Sequence, residues 1–412
     1  MGLKEDALRY HAEHTGILGV ASKVKLTNRE ELGLAYTPGV AEPCKVIKED
    51  PEQSFALTCR GNMIAVISDG TRVLGLGDIG AVAAMPVMEG KAVLFKSFAD
   101  VDAVPICVDS KDPEEIIRTV RLLQPSFAGI NLEDFSSPKC YDIEDRLKEI
   151  MDIPVFHDDQ HGTAIAVLSG VVAGLRFVRK DLKTARVVVN GCGAAGSAVA
   201  RLLVRMGAEN VLSVDSCGIL YDGMDAGLNR IQLEVAKNTN KGKIKGDLVT
   251  AAKGADVLIG LSGPRLFTKG LMQTMNKGAV VFGCANPVPE IDYDEAKAAG
   301  VKVAGTGLSV HPNQINNVMV FPGLFRGALD VRARRVTEEM KIAAVYALAN
   351  LVDEKELRED YVVADAFDPR VAPTLAAAVA KAAAEQGVAR FKVDAREVYD
   401  NTLARVKKLR GE

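Results

Sequence analysis

Val187-Val188-Val189-Asn190 runs directly into Gly191-Cys192-Gly193-Ala194-Ala195-Gly196, and no other stretch restricts the fold as tightly. An apolar β-branched run, a Gly-x-Gly-x-x-Gly turn and a helical pattern from Ala195 to Met206 make one strand–turn–helix unit. Gly191 allows the tight turn, Gly193 lets backbone approach a pyrophosphate, and Gly196 lets the helix pack on the strand. The N–H groups of Ala194 and Ala195 open the helix, where an anion is favoured. Asp215 ends the next strand about 20 residues on and suits the ribose hydroxyls of a dinucleotide. Ser216, Cys217 and Gly218 follow it with no cation to receive a 2′-phosphate, which favours NAD over NADP without excluding the latter.

That unit belongs to a longer series. Arg186–Asn190, Asn210–Asp215, Asp256–Leu261, Ala279–Phe282 and Val301–Ala304 read as strands, with helices such as Leu248–Lys253 between them. This predicts a doubly wound, Rossmann-type domain over 162–316. Upstream, Met63–Ser68, Ala92–Phe95, Ala103–Val108, Phe127–Leu132 and Ile153–Phe156 read as strands, and Pro113–Leu123 and Ile143–Met151 as helices. They predict a separate parallel α/β substrate domain over 1–161. The nearly apolar helical stretch Gly162–Arg179 connects the two. Beyond Asn317 the chain reads as helices (Arg335–Leu351, Thr374–Glu385, Ala395–Leu409) too few to form a domain, so 317–412 is expected to pack back on the first. At 412 residues there is material for two such cores.

Composition narrows the function. A net charge of −3 offers no basic surface for nucleic acid. No apolar run reaches the ~18 residues that span a bilayer. The start Met1-Gly2-Leu3-Lys4-Glu5-Asp6 is too polar for a signal peptide. Seven cysteines without a Cys-x-x-Cys pair fit a reducing, cytoplasmic setting.

Two acidic doublets carry the chemistry. Glu133-Asp134 follows Phe127–Leu132, and Asp158-Asp159 follows Ile153–Phe156. Acids at the carboxyl ends of parallel strands share a crevice, and carboxylates suit a hard divalent cation such as Mg2+ or Mn2+ rather than zinc. His157 and His161 flank the second doublet at four-residue spacing, but with carboxylates available they are not expected to bind the ion.

These pieces resemble the malic enzymes of the short bacterial or archaeal type. The resemblance runs through Tyr36–Ala41, Arg72–Asp78, Met88–Lys91, Glu133–Phe135, His157–Ala164, Ala285–Pro287, Asn316–Val318 and Phe321–Gly323 in one order. It implies oxidative decarboxylation of L-malate to pyruvate and CO2 with NAD or NADP and a divalent ion, in a homodimer. Decarboxylation of oxaloacetate is a partial reaction of the same machinery. By resemblance Glu133, Asp134 and Asp159 are the metal ligands, Lys91 the base, Asp158 its holder and Tyr36 the general acid. Arg72 would grip a substrate carboxylate. Asn286 and Asn317 would donate amides to substrate, with Asn316 beside Asn317 sharing that task, and Asn286 also lies at the nucleotide crevice. Lys91 needs a lowered pKa, which burial and a nearby cation are expected to provide. Where related short enzymes carry Arg-Ser-Asp, this chain has Leu308-Ser309-Val310-His311, which leaves cofactor choice open. A malolactic enzyme forming lactate and a catalytically silent nucleotide-binding regulator are the alternatives.

Overall fold

In the computed structural model, which describes residues 2–73 and 75–412, the chain builds two open parallel sheets. Met1 and Leu74, the latter inside the Arg72–Asp78 block, lie outside the described residues. The first sheet holds β1 (Met63–Ser68), β2 (Asp102–Cys107), β3 (Gly129–Leu132) and β4 (Val155–His157) in the order β2-β1-β3-β4, all parallel. The second holds β5 (Arg186–Asn190), β6 (Asn210–Asp215), β7 (Gly218–Ile219), β8 (Val257–Gly260), β9 (Val280–Gly283) and β10 (Val303–Thr306) in the order β10-β9-β8-β5-β6-β7. The sequence pattern finds all of these except the two-residue β7, the one antiparallel member. The chain order reverses between β5 and β8, and a crevice opens there at the carboxyl ends of the strands.

One expected strand is corrected. Ala92–Phe95 lies inside a helix, Ala81–Ala99. Met88, Ala92, Phe95 and Ala99 are buried on one face at three- and four-residue spacing. A short apolar run buried on most sides does not distinguish strand from helix by periodicity. Lys91 is therefore placed in a helix rather than ahead of a strand.

A continuous helix, Asp158–Phe177, joins the two sheets and buries most of its length. The expected boundary at 161/162 falls in its first turns. The C-terminal helices Phe321–Asp330, Glu338–Ala349, Val371–Glu385 and Ala395–Arg410 return to the first sheet. Phe321 meets Phe95 tilted and Phe325 meets it edge-on, at ring distances of 4.6 and 5.4 Å, and Phe325 also meets Phe156 at 6.0 Å. By contrast the N-terminal helices Leu3–His14, Arg29–Ala35 and Ala41–Glu49 bury no residue. No helix among the described residues is long and apolar enough to cross a membrane.

Candidate active site

β3 and β4 are neighbours, so the segments leaving their carboxyl ends run side by side. One carboxylate oxygen from each of Glu133, Asp134 and Asp159 lies within 4.8 Å of the others. The segment after β3 turns sharply at Asp134, whose φ of 58° is left-handed. Its backbone N–H donates to Asp159 Oδ2 at 2.9 Å, which ties the doublets together. Asp134 Oδ2 is buried and has no hydrogen-bond partner among the described residues. Burial, reinforced by the charge of Asp159, pushes the Asp134 carboxyl up to about 7. An orphaned buried oxygen among crowded carboxylates, with no thiolate in the set, fits a hard cation.

Asp158 turns away from this cluster. Its Oδ2 accepts from Lys91 Nζ at 2.6 Å and from Asn317 Nδ2 at 2.5 Å, and Lys91 Nζ also lies 2.9 Å from Glu133 Oε1. The ammonium stands over the Phe321 ring at 4.1 Å. Burial works to lower the Lys91 pKa, but the charges of Asp158 and Glu133 outweigh it and hold the ammonium above the ordinary lysine range. That reverses the lowered value expected from sequence, because two carboxylates face one buried cation.

Asp158 fits there only because position 162 is glycine. A Cβ on Gly162 would stand 1.8 Å from Asp158 Oδ1. Gly→Ala inside a helix ordinarily stabilises by roughly 0.8–1.0 kcal/mol. Here Gly162→Ala is expected to displace the carboxylate and cut turnover by about 10-fold or more with the fold retained. Unchanged kinetics beside an unchanged circular dichroism spectrum would show that the Asp158 placement does not matter.

Arg72 belongs to a loop pinned beside the acids. Its N–H donates to Asp134 O at 2.9 Å, and Asp69 Oδ1 accepts from Thr71 N and Oγ1 at 3.1 and 2.7 Å. Lys139 pairs with the other Asp69 oxygen. The Arg72 side chain is exposed. A Cβ on Gly75 would come 2.8 Å from Pro287 Cδ, so this loop touches the Asn286–Pro287 turn that follows β9. Asn286 is exposed near Gly307. Asn316 accepts from Val318 N at 2.9 Å, so its amide oxygen caps a short helical turn. Tyr36 closes the helix Arg29–Ala35; it is 68% exposed, and its phenol makes no hydrogen bond among the described residues. The structure therefore joins Lys91, Glu133, Asp134, Asp158, Asp159 and Asn317, and leaves Tyr36 outside their contacts.

The nucleotide cradle follows the fingerprint. Gly191 has φ 102°, and a Cβ on Gly196 would stand 1.8 Å from Gly191 O. Among the described residues, nothing beyond its own chain neighbours and helix backbone lies within 4 Å of a Cβ built on Gly193, so that face is open. Gly193 caps the helix Ala194–Arg205, whose first N–H groups have no partner within the helix. Asp215 Oδ2 accepts from Cys192 N at 3.2 Å and Gln232 Nε2 at 3.0 Å.

Sequence reasoning did not assign Asn131, whose Nδ2 donates to Glu133 Oε2 at 2.8 Å, or Gln232. Asn131 precedes the Glu133 doublet by two positions, so it shares the inward face of its strand, which was the available signal.

A Rossmann-type cradle facing a lysine among buried carboxylates defines an oxidoreductase of the nicotinamide-dependent class. Family models described as "Malic enzyme, N-terminal domain" and "Malic enzyme, NAD binding domain" match residues 18–148 and 160–384. The chain belongs to the malic enzyme family. It is 53% identical to the bifunctional malic/malolactic enzyme of Bacillus subtilis over 98% of both chains. It is 50% identical to the NAD-dependent malic enzyme of Geobacillus stearothermophilus, covering 91% of this chain and 78% of the relative. The crystal structure of the malic enzyme from Pyrococcus horikoshii superimposes with a TM-score of 0.96 at 45% identity, covering 100% of this chain and 97% of that one. Relatives are named for either NAD or NADP.

Proposed function

We propose that this enzyme converts L-malate and NAD to pyruvate, CO2 and NADH with Mg2+ or Mn2+ held by Glu133, Asp134 and Asp159. The observation that carries the reading is the Lys91 ammonium bonded to Asp158 and Glu133 at the edge of the acid cluster. The substrate half would be 1–161 completed by 317–412, and the nucleotide half 162–316. Arg72 offers a bidentate fork to one substrate carboxylate. Asn286 and Asn317, with the free amide nitrogen of Asn316, are proposed donors to the rest of the molecule. Gly191, Gly193, Ala194, Ala195 and Gly196 cradle the pyrophosphate, and Asp215, braced by Cys192 N and Gln232, takes the ribose hydroxyls.

Lys91 accepts the hydroxyl proton while the C2 hydrogen leaves as hydride to the nicotinamide. Loss of the C3 carboxylate as CO2 leaves an enolate, and a proton delivered to C3 gives pyruvate. When bound, the divalent ion supplies positive charge that polarises the C2 oxygen through the reaction. Lys91 must first release its own proton to solvent, and a cation held at Glu133 would weaken one of the two contacts that retain it. Asp158, fixed by Asn317, keeps the amine aimed. Tyr36 is the proposed acid toward C3. Its exposure means that the N-terminal segment must close over the crevice or a second copy must supply it. Exposed Leu8, Tyr10, Leu26 and Leu34 on that segment support a homodimer.

The test is stoichiometric. With L-malate and Mn2+, one NADH per pyruvate is expected, at higher kcat/KM for NAD than for NADP, and no turnover after chelation. The Bacillus subtilis relative's name supports a second product, so lactate should be assayed in parallel. Lactate as sole product without net NADH would replace the first reading by the malolactic one.

A further inference from the structure

His157 and His161, which the proposed chemistry leaves unused, are links in a buried polar chain that runs from Asp159 to the C-terminal helices. Gln160 is its key. Its Nε2 lies 3.0 Å from Glu144 Oε2 and 2.8 Å from His157 Nδ1. Glu144 also accepts from His161 Nε2 at 2.9 Å, His157 N at 3.1 Å and Lys148 Nζ at 2.7 Å. An ionised carboxylate only accepts, so the Gln160 amide nitrogen, not its oxygen, must face it. The second amide hydrogen then goes to His157 Nδ1. His157 Nε2 carries the hydrogen that Asp159 Oδ2 accepts at 3.0 Å.

Asp159 Oδ2 thus has two donors, His157 Nε2 and Asp134 N. Its other oxygen is left for the acid cluster. Behind Glu144 the chain continues through His161, whose Nδ1 accepts from Lys341 Nζ at 3.1 Å, to Glu338 at 2.5 Å. Lys341 and Glu338 come from the helix Glu338–Ala349, so the C-terminal helices reach the acid cluster through hydrogen bonds as well as packing.

We propose that His157 is a positioning residue that holds Asp159 with Oδ1 toward the divalent cation, its own orientation set by Gln160 and Glu144. This rests on reading Glu133, Asp134 and Asp159 as the cation site. A hydrogen-bond partner that orients a metal ligand is worth about 10- to 100-fold in metal affinity.

The experiment measures Mn2+ binding by electron paramagnetic resonance, without malate or nucleotide, in the full chain. His157→Phe keeps a ring of similar size and removes both nitrogens; Gln160→Met keeps the length of the side chain and removes the amide that bonds Glu144 and His157. Each is expected to weaken Mn2+ by about 10- to 100-fold. In the double variant the loss should match that of His157→Phe alone, since Gln160 acts through His157. In turnover the KM for Mn2+ rises by the same factor, with kcat at saturating Mn2+ within about threefold. Asp159→Asn is the control. If it abolishes binding while His157→Phe and Gln160→Met both bind as wild type, the positioning role is overturned and the cation site stands. Additive losses in the double variant overturn the Gln160 step. Wild-type Mn2+ affinity in Asp159→Asn overturns both readings. Should His157→Phe fail to fold, Gln160→Met alone decides between them.

Discussion

Replacing Lys91 by arginine is expected to lower kcat by about 10²- to 10⁴-fold, the contribution of a positioned general base, while NADH still binds. Arginine keeps the positive charge between Asp158 and Glu133 but does not deprotonate. Lys91→Ala should lose the same activity and stability as well. Lys91 Nζ is held at 2.6 and 2.9 Å by two buried carboxylates, so alanine leaves those charges without a partner. Breaking a buried pair from one side costs roughly 3–5 kcal/mol. The pair of variants thus separates charge from proton transfer. Circular dichroism and thermal melts report the first, and single-turnover rates report the second. Arginine turning over within about tenfold of wild type would remove Lys91 from the role of base.

How far the sequence reached follows from what each feature depends on. Helix Pro113–Leu123 is legible at both ends because its signals are local: Asp112 caps it, Pro113 opens it, and its apolar residues recur on one face. β5 and β6 are legible for the same reason, as apolar runs between turns. The Phe321–Asp330 helix is not, because Pro322, Gly323 and Gly327 speak against a helix locally and it is buried nearly all round. Its glycines are set by packing: a Cβ on Gly327 would stand 2.3 Å from Ala376 O. The acidic doublets are legible because each follows its strand directly. Their surroundings are not. Glu144, His161 and Lys341 meet only after three helices pack, and no spacing announces that. The sign of the Lys91 shift was missed because it depends on how many carboxylates face the ammonium, a count that only the tertiary structure supplies.

Asp134→Asn is expected to move stability and activity in opposite directions. Asparagine tolerates the left-handed φ of 58° at this position, so the turn after β3 is kept. The carboxylate it replaces is pushed up to about 7 by burial and by Asp159, against an ordinary value of 3.8. A folded value above the unfolded one means that the folded chain takes up a proton first as pH falls. The penalty of the charge is therefore full above pH 7 and relieved as pH drops toward 3.8. At about 1.36 kcal/mol per unit, removing it adds a few kcal/mol at most to the chelator-treated protein at pH 8. The variant should then melt higher than wild type without divalent ions. Saturating Mn2+ reverses the order. At about 100 times its Kd a ligand stabilises by roughly 2.7 kcal/mol, which wild type gains and the variant does not. Turnover should fall by about 10³-fold or more, since the polarising charge on the C2 oxygen is lost. Two melts at pH 8, with chelator and with Mn2+, check the crossing. If Mn2+ raises the melting temperature of Asp134→Asn as much as that of wild type, the ion is held elsewhere and the orphaned Asp134 oxygen needs another partner.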